Sequence, residues 1–233
     1  MCSGEVGLGS SRMGLGCHSG DFRDKKNCGM LVEVLRETAM FINFVEILSY
    51  LMESVTIKGM TFVPYLKREE IAKQVERVAA EIRRDFEGKQ PPLFICVLNG
   101  AFVFAADLFR ACRMPESEIT FMRYKSYEGT SSTGVVNELI GLSEDITGRN
   151  VVIIEDIVDT GVTAEKMIAA LSKHNPASIK FATLLFKPHS LITSAKPDYV
   201  GFEIPSKFII GYGLDLDGLA RDLSDIFVLA ENA

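Results

Sequence analysis

The chain has 233 residues, 47% hydrophobic and 24% charged, which fits one soluble globular domain with additions. A net charge of −6 and a pI near 5.2 argue against a protein built mainly to bind nucleic acid, while leaving room for a local basic pocket. The five cysteines, Cys2, Cys17, Cys28, Cys96 and Cys112, are odd in number and contain no CxxC pair, so neither a disulfide framework nor a zinc site is indicated. A reducing, cytoplasmic setting is the simple reading, and the adjacent Cys17-His18 does not make a metal site.

Residues 1–52 differ in composition from the rest. Met1 to Gly20 is rich in Gly and Ser with little periodicity, which predicts disorder. Residues 1–51 carry five Lys/Arg against six Asp/Glu, which argues against a basic DNA-binding arm. Leu31 to Met52 is apolar and helix-like, but Glu33, Arg36, Glu37 and Glu46 interrupt it. Its clean part, Ala39 to Met52, is shorter than a membrane span requires. Acids spread through it and the lack of a small-residue cleavage site argue against a signal peptide. Two readings stay open: a helical or poorly ordered extension, or a gene-start artefact with the start at Met52 or another internal methionine.

From Glu53 the pattern becomes orderly. Val55 to Phe62 is a short alternating or apolar segment. Lys67 to Phe86 predicts an amphipathic helix with Ile71, Val75, Val78, Ile82 and Phe86 on one face. Leu93 to Leu98 predicts a core strand, Asn99-Gly100 a turn and Ala101 to Cys112 a helix. Ile119 to Tyr124 reads as the second strand, and Glu128 to Asn137 as a polar loop without a core face. Val151 to Ile154 is the third strand, a helix follows over Val162–Ala170 and as far as His174, and Ile179 to Phe186 is the fourth strand. Strands alternating with helices predict an α/β fold with a mainly parallel sheet and right-handed crossovers. The tail from Asp198, broken by Pro205, Gly211, Gly213 and Gly218, is expected to form a small lobe beside that sheet.

The stretch with most chemistry is Asn150 to Thr163, N-V-V-I-I-E-D-I-V-D-T-G-V-T. An unbroken β-branched run suits a strand buried on both faces. The carboxylates Glu155 and Asp156 follow that run, and Asp159 stands just before the turn Thr160-Gly161. Ligands bind at the C-terminal ends of strands in open α/β sheets. A glycine lets backbone approach a ligand closely, free N–H groups at a helix start bind phosphate, and Thr160 and Thr163 add hydroxyls. The acids would repel a bare phosphate, so the pattern implies a bridging cation or contacts to sugar hydroxyls. Hard oxygen donors of this kind suit Mg²⁺ shared with substrate phosphates. A phosphorylated sugar with Mg²⁺ satisfies both halves.

V-V-I-I-E-D-I-V-D-T-G-V-T closely resembles the 5-phosphoribosyl pyrophosphate (PRPP) signature of the type I phosphoribosyltransferases, and residues 53–233 resemble the 6-oxopurine branch of that family nearly throughout. The resemblance implies a type I phosphoribosyltransferase fold, with a central sheet flanked by helices and a hood lobe over about residues 198–233. It implies a Mg²⁺-dependent purine-salvage enzyme that moves 5-phosphoribosyl from PRPP to N9 of hypoxanthine or guanine, giving IMP or GMP and pyrophosphate. Glu155 and Asp156 would then address ribose hydroxyls and metal. Thr160, Gly161, Val162 and Thr163 would hold the 5′-phosphate, and Asp159 would serve as general acid/base at purine N7. V-L-N-G-A sits where the family has its pyrophosphate loop, often with a non-proline cis peptide, so Asn99 and Gly100 are pyrophosphate candidates. The family's usual Lys or Arg is Asn99 here, which removes a positive charge and leaves Asn99 a backbone role.

Lys125-Ser126-Tyr127 resembles the start of the family's mobile lid, with Ser126 and Tyr127 closing over the reaction. Lys187 matches the lysine that contacts the 6-oxo group. The run K-F-I-I-G-Y-G-L-D followed by A-R-D-L resembles the hood. In it Lys207 lies near the hood backbone, Phe208 stacks on the base and Ile209 reads the base edge. Asp215 holds a second Mg²⁺ and Arg221 reaches pyrophosphate. The family is usually dimeric or tetrameric, and His18, His174 and His189 match no site position. Two rivals stand beside this reading. One is a transferase for adenine, uracil or orotate, against which Lys187 and the hood argue. The other is a PRPP-binding regulator without catalysis, against which the acidic balance argues.

Overall fold

The computed structural model of the chain describes residues 7–8, 11–12, 53–127, 136–140, 142 and 144–230, with backbone alone for 7–8, 11–12, 124–127 and 136–140. The chain divides into two compact units, Met1–Ser49 and Tyr50–Ala233. In the first, β1 (Gly7–Leu8) and β2 (Ser11–Arg12) pair antiparallel.

The second unit opens with a hairpin, β3 (Val55–Ile57) and β4 (Met60–Leu66). Its turn residues Lys58 and Gly59 both have positive φ, at 50° and 77°. That is the backbone of a type I′ turn, whose twist matches the strands it joins. Helix α1 (Arg68–Asp85) follows. The Asp225 carboxylate accepts a hydrogen bond from Arg68 N at 2.9 Å, so a residue near the end of the chain satisfies one of the helix's free donors. Glu69 and Glu70 in the first turn and Arg83 and Arg84 in the last match the helix dipole. Ile71, Val75, Val78, Ile82 and Phe86 are buried, as their spacing predicts.

The main body then alternates: β5 (Leu93–Val97), α2 (Phe102–Cys112), β6 (Glu118–Tyr127), β7 (Val136–Ile140), β8 (Asn150–Val158), α3 (Val162–Ser172) and β9 (Ser178–Phe186). A short 3-10 turn at Pro188–Ser190, β10 (Tyr199–Glu203), β11 (Ile209–Ile210) and β12 (Ile226–Leu229) complete it. One six-stranded sheet has the order β10-β9-β8-β5-β6-β7, parallel except for β7. A four-stranded sheet has the order β11-β12-β4-β3.

The buried strands β5 and β8 read as continuous apolar runs because both faces are covered. Phe94, Cys96, Val152 and Ile154 pack with α1 and α2 on one side. Leu93, Ile95, Val151 and Ile153 pack with Ala164, Met167 and Leu171 of α3 on the other. The helical and strand periodicities therefore specify the same three-layer arrangement.

Three expectations are corrected. Glu155 and Asp156 do not follow the strand but belong to β8, which stays paired with β9 through Glu155↔Thr183, Ile157↔Leu185 and Val158↔Phe186. Neighbouring main-chain pairing holds these polar residues in the strand despite their low β propensity. Strand β6 continues past Tyr124 to Tyr127, because β7 returns antiparallel against it, and β7 takes in Val136 and Asn137 of the segment expected to be loop. Residues 128–135 lie outside those described. The tail does not all leave the main sheet, since β10 pairs parallel with β9. A parallel crossover needs roughly a dozen residues, usually helical. Here an irregular connection with only a 3-10 turn makes it, and that is why the sequence pattern did not announce it. The smaller sheet combines the tail strands β11 and β12 with the β3–β4 hairpin from the unit's start.

Candidate active site

From β5 the chain steps to β6 on one side and later to β8 on the other, so the strand order reverses between β5 and β8. Loops leaving neighbouring strands at such a point diverge and open a crevice beyond their C-terminal ends. The two loops here are Leu98–Ala101 after β5 and Asp159–Gly161 after β8.

The β5 loop begins with a cis peptide between Leu98 and Asn99. Gly100 lies directly against the β8 acids: a Cβ built there would sit 1.6 Å from Asp156 Oδ2. The Asp156 carboxyl thus occupies the space a side chain at residue 100 would need. Asp156 Oδ1 also accepts from Ile157 N at 2.9 Å. Glu155 and Asp156 keep some exposed surface, yet their carboxyls lie deep among protein atoms. Burial pushes the Glu155 carboxyl well above the usual carboxylate range, helped by the adjacent Asp156 charge. Burial also raises Asp156, with hydrogen bonds and the positive Arg221 opposing it.

The turn after β8 has the expected form. Gly161 takes φ 79°, a left-handed value that favours glycine, and α3 starts at Val162 with Thr163 in its first turn. Thr160 and Thr163 are exposed. A cleft of about 130 Å³ is lined by Glu155, Asp159, Thr160, Gly161 and Thr163 among others, so five of the expected PRPP residues share one hollow. A larger hollow of about 730 Å³ has Arg221 and Tyr212 on its wall but none of Glu155, Asp156 or Asp159. The expected PRPP residues line the smaller one.

Asp159 and Lys187 meet across the ends of β8 and β9. Lys187 Nζ donates to Asp159 Oδ2 at 2.8 Å, with the lysine side chain 10% exposed and the aspartate 47%. The hydrogen bond from Lys187 holds the Asp159 carboxyl below its ordinary value. Lys187 is anchored by its own N–H to Val158 O at 2.9 Å, which fixes its register to the motif strand.

In the hood, Phe208 is 47% exposed, with its ring 6.1 Å from that of Phe62, so an aromatic face remains available. Ile209 is buried and pairs with Val228. Lys207 is exposed, and its ammonium lies 5.9 Å from the Tyr65 ring centroid, a cation–π position. Asp215 and Arg221 form an ion pair at 2.7 Å; Arg221 Nη1 donates to Gly213 O at 2.7 Å, and Asp215 accepts from Gly218 N. Arg221 is therefore a held guanidinium, and its charge is felt at Asp156.

Ser126 and Tyr127 lie in β6, paired with Asn137 and Val136 of β7. The expected lid start is thus the distal end of a β-ribbon in backbone terms. Among the described residues no three His, Cys, Asp or Glu side chains converge as a metal cluster. The sequence did not point to Arg123, whose Nη2 donates to Asn99 Oδ1 at 2.7 Å. Its only available signal was register: β5 pairs with β6 through Val97↔Met122, so the residues that follow on each strand are neighbours.

A family model of the phosphoribosyl transferase domain matches residues 64–217. A hypoxanthine-guanine phosphoribosyltransferase of Mycobacterium bovis is 41% identical over 170 residues, covering 70% of this chain and 84% of that relative. The Bos taurus enzyme of the same name is 37% identical, covering 69% of this chain and 78% of its own. Among solved structures, a hypoxanthine-guanine phosphoribosyltransferase from Bacillus anthracis superposes with a TM-score of 0.64 at 36% identity, covering 72% of this chain and 96% of that one. The hypoxanthine phosphoribosyltransferase of Trypanosoma cruzi gives a TM-score of 0.65 at 36% identity, covering 72% and 97%. With the switch-point crevice, the acidic strand and the anion turn already in place, these likenesses identify the chain as a member of the phosphoribosyl transferase family.

Proposed function

We propose that the chain is a purine-salvage transferase that moves the 5-phosphoribosyl group of PRPP to N9 of hypoxanthine or guanine and releases pyrophosphate. The observation that carries this reading is the Lys187–Asp159 pair at 2.8 Å beside the anion turn. In a 6-oxopurine, O6 and N7 lie on the same edge of the ring. A donor-only ammonium suits O6, and an ionisable carboxylate suits N7. One ion pair next to a phosphate turn therefore matches one edge of one class of base.

Thr160 to Thr163 hold the 5′-phosphate, using the hydroxyls, the α3 N-terminus and backbone that Gly161 frees. Glu155 and Asp156 address the ribose hydroxyls. Asp159, kept ionised by Lys187, takes a proton at N7 when the base arrives and Lys187 turns to O6. Phe208 covers the face of the base, while Ile209 lines its edge. Asn99 and Gly100 offer backbone to pyrophosphate, and Arg221 adds a cation. The Ser126–Tyr127 end of the β-ribbon closes over the reaction and excludes water.

The donor set fits Mg²⁺. Glu155 and Asp156 are hard oxygen ligands whose raised carboxyls gain most from a cation, and Asp215 supplies another oxygen at the hood. Mg²⁺ usually takes one or two protein carboxylates and completes its shell with substrate oxygens and water. Mg²⁺ bound there supplies neutralisation of the leaving pyrophosphate.

The same reading takes residues 53–233 as the transferase domain, with residues 1–52 as an extension, in a cytoplasmic homo-oligomer. Among the described residues no helix is long and apolar enough to cross a membrane. The test is pyrophosphate release from PRPP with hypoxanthine, guanine, xanthine and adenine in the presence of Mg²⁺, beside a gel shift with nucleic acid. Release with hypoxanthine or guanine and negligible release with adenine is the expected result. Release with none of them, or a shift without turnover, would overturn the reading.

A further inference from the structure

We infer that Arg123 binds the pyrophosphate group, supplying from β6 the cation that the β5 loop itself lacks; this rests on the transferase reading above. From Leu98 to Phe109 the loop and the helix it opens contain no basic side chain. The residue at the crevice is Asn99, neutral and exposed. The parallel register Val97↔Met122 carries Arg123 alongside it, and the guanidinium donates to the Asn99 carboxamide at 2.7 Å. Loop and cation are therefore one unit built from two adjacent strands.

The charges around the crevice favour this assignment. Lys187 is paired with Asp159, and Arg221 with Asp215. Among the described residues Arg123 has no carboxylate within ion-pair distance, and its partner is a neutral amide oxygen. A guanidinium has five N–H donors, and the bond to Asn99 uses one. The planar fork that remains suits phosphate oxygens bidentately. On the other side of Asn99 stands Gly100, against which the Asp156 carboxyl packs. Arg123, Asn99, Gly100 and Asp156 thus run contiguously from a cation to an acid, which is the polarity a metal-bound polyphosphate requires. Asn99 acts here as a positioning residue, its carbonyl oxygen orienting the fork.

The plain alternative is a solvated surface arginine that merely ties two strands together. The two readings separate by calorimetric binding of pyrophosphate with Mg²⁺ and by product inhibition against PRPP, using the full chain with Arg123→Met and Arg123→Lys. A pyrophosphate ligand predicts dissociation and inhibition constants raised roughly ten- to hundredfold in Arg123→Met, the range that losing a hydrogen bond between charged groups gives. Arg123→Lys should be intermediate, and KM for hypoxanthine should not change. Placing Asn99→Lys in the Arg123→Met background should recover pyrophosphate affinity, since the cation is returned to the same loop. A purely structural arginine would not be rescued in that way. Wild-type pyrophosphate affinity in Arg123→Met, with turnover of the unmodified enzyme intact, overturns the inference alone. An unmodified enzyme that releases no pyrophosphate with any purine overturns the transferase reading and this inference with it.

Discussion

The Nζ of Lys187 lies 2.8 Å from Oδ2 of Asp159, so the side chain expected to read the base and the one expected to move a proton are hydrogen-bonded partners. Each conditions the other. The lysine is nearly enclosed and faces a carboxylate, and its hydrogen bond lowers the pKa of that carboxylate. On the proposed reading, a 6-oxopurine exchanges this contact for two on the ligand, one to O6 and one to N7.

Lys187→Met should change the pH profile in a defined direction. The hydrogen bond and charge of Lys187 lower the Asp159 pKa, so Asp159 is ionised at and above its ordinary value of about 3.9. Removing the lysine lets that pKa rise, and the acid limb of kcat/KM for hypoxanthine moves to higher pH. Asp159 is almost half exposed, so the lost ion pair should contribute little to Tm. The same variant should weaken selection against adenine while leaving PRPP affinity nearly unchanged. A pH–rate profile and competition among the bases check both. An unmoved acid limb would detach Asp159 from Lys187.

Asp159→Asn keeps the shape of the side chain but cannot take a proton. The expected loss is in kcat, about 10²- to 10⁴-fold, the usual contribution of general acid/base catalysis. PRPP binding should persist, because Thr160, Gly161 and Thr163 line the anion cleft independently of that proton. Single-turnover rates with hypoxanthine and a separate PRPP titration distinguish the two effects. Wild-type kcat would remove Asp159 from the mechanism.

Gly100→Ala tests the packing of the pyrophosphate loop on the acidic strand. The added methyl would fall 1.6 Å from Asp156 Oδ2, so either the carboxyl or the loop must move. Misplacing a reacting group by about 1 Å can cost on the order of 10²-fold in rate. We expect kcat/KM for PRPP to fall by about that factor. Mg²⁺ dependence should weaken in parallel, and Tm should change less because the residue stands at the crevice rather than in the core. Unchanged PRPP kinetics would show that Asp156 does not act from its observed position.

Much of this site was legible because it is local in sequence. Asn150 to Thr163 contains a strand, its acids, an anion turn and a helix start, and β8, Gly161 and α3 realise them in that order. What was illegible depends on pairing between distant segments. Nothing near Asn99 indicates that Arg123, 24 positions away, donates to its carboxamide. Nothing near Arg68 indicates that Asp225 caps its helix. The strand Tyr199–Glu203 was hidden because its crossover is irregular, and the small sheet because it joins β3 and β4 to β11 and β12. The acids of β8 looked like loop residues because side-chain preference is local, whereas the ladder to Thr183 and Leu185 that holds them is not.

A shortened chain beginning at Met52 joins the question of the extension to the thiols. It retains Glu53, whose carboxylate pairs with Lys67 at the start of α1, and every element from β3 onward. Three of the five cysteines, Cys2, Cys17 and Cys28, are lost with residues 1–51, and Cys96 and Cys112 remain. Both are buried, and burial pushes each thiol up to about 12. Against an ordinary thiol pKa of about 8.5, this leaves on the order of 10⁻⁴ of either as thiolate at about pH 8. The shortened protein should keep the kcat and the pyrophosphate affinity of the full chain. It should show no thiol reactive to an aromatic disulfide reagent while folded, and both cysteines once denatured. Aggregation or loss of activity would make the extension structural. Rapid labelling of the folded, active protein would show that the layers covering β5 and α2 open more readily than their packing implies.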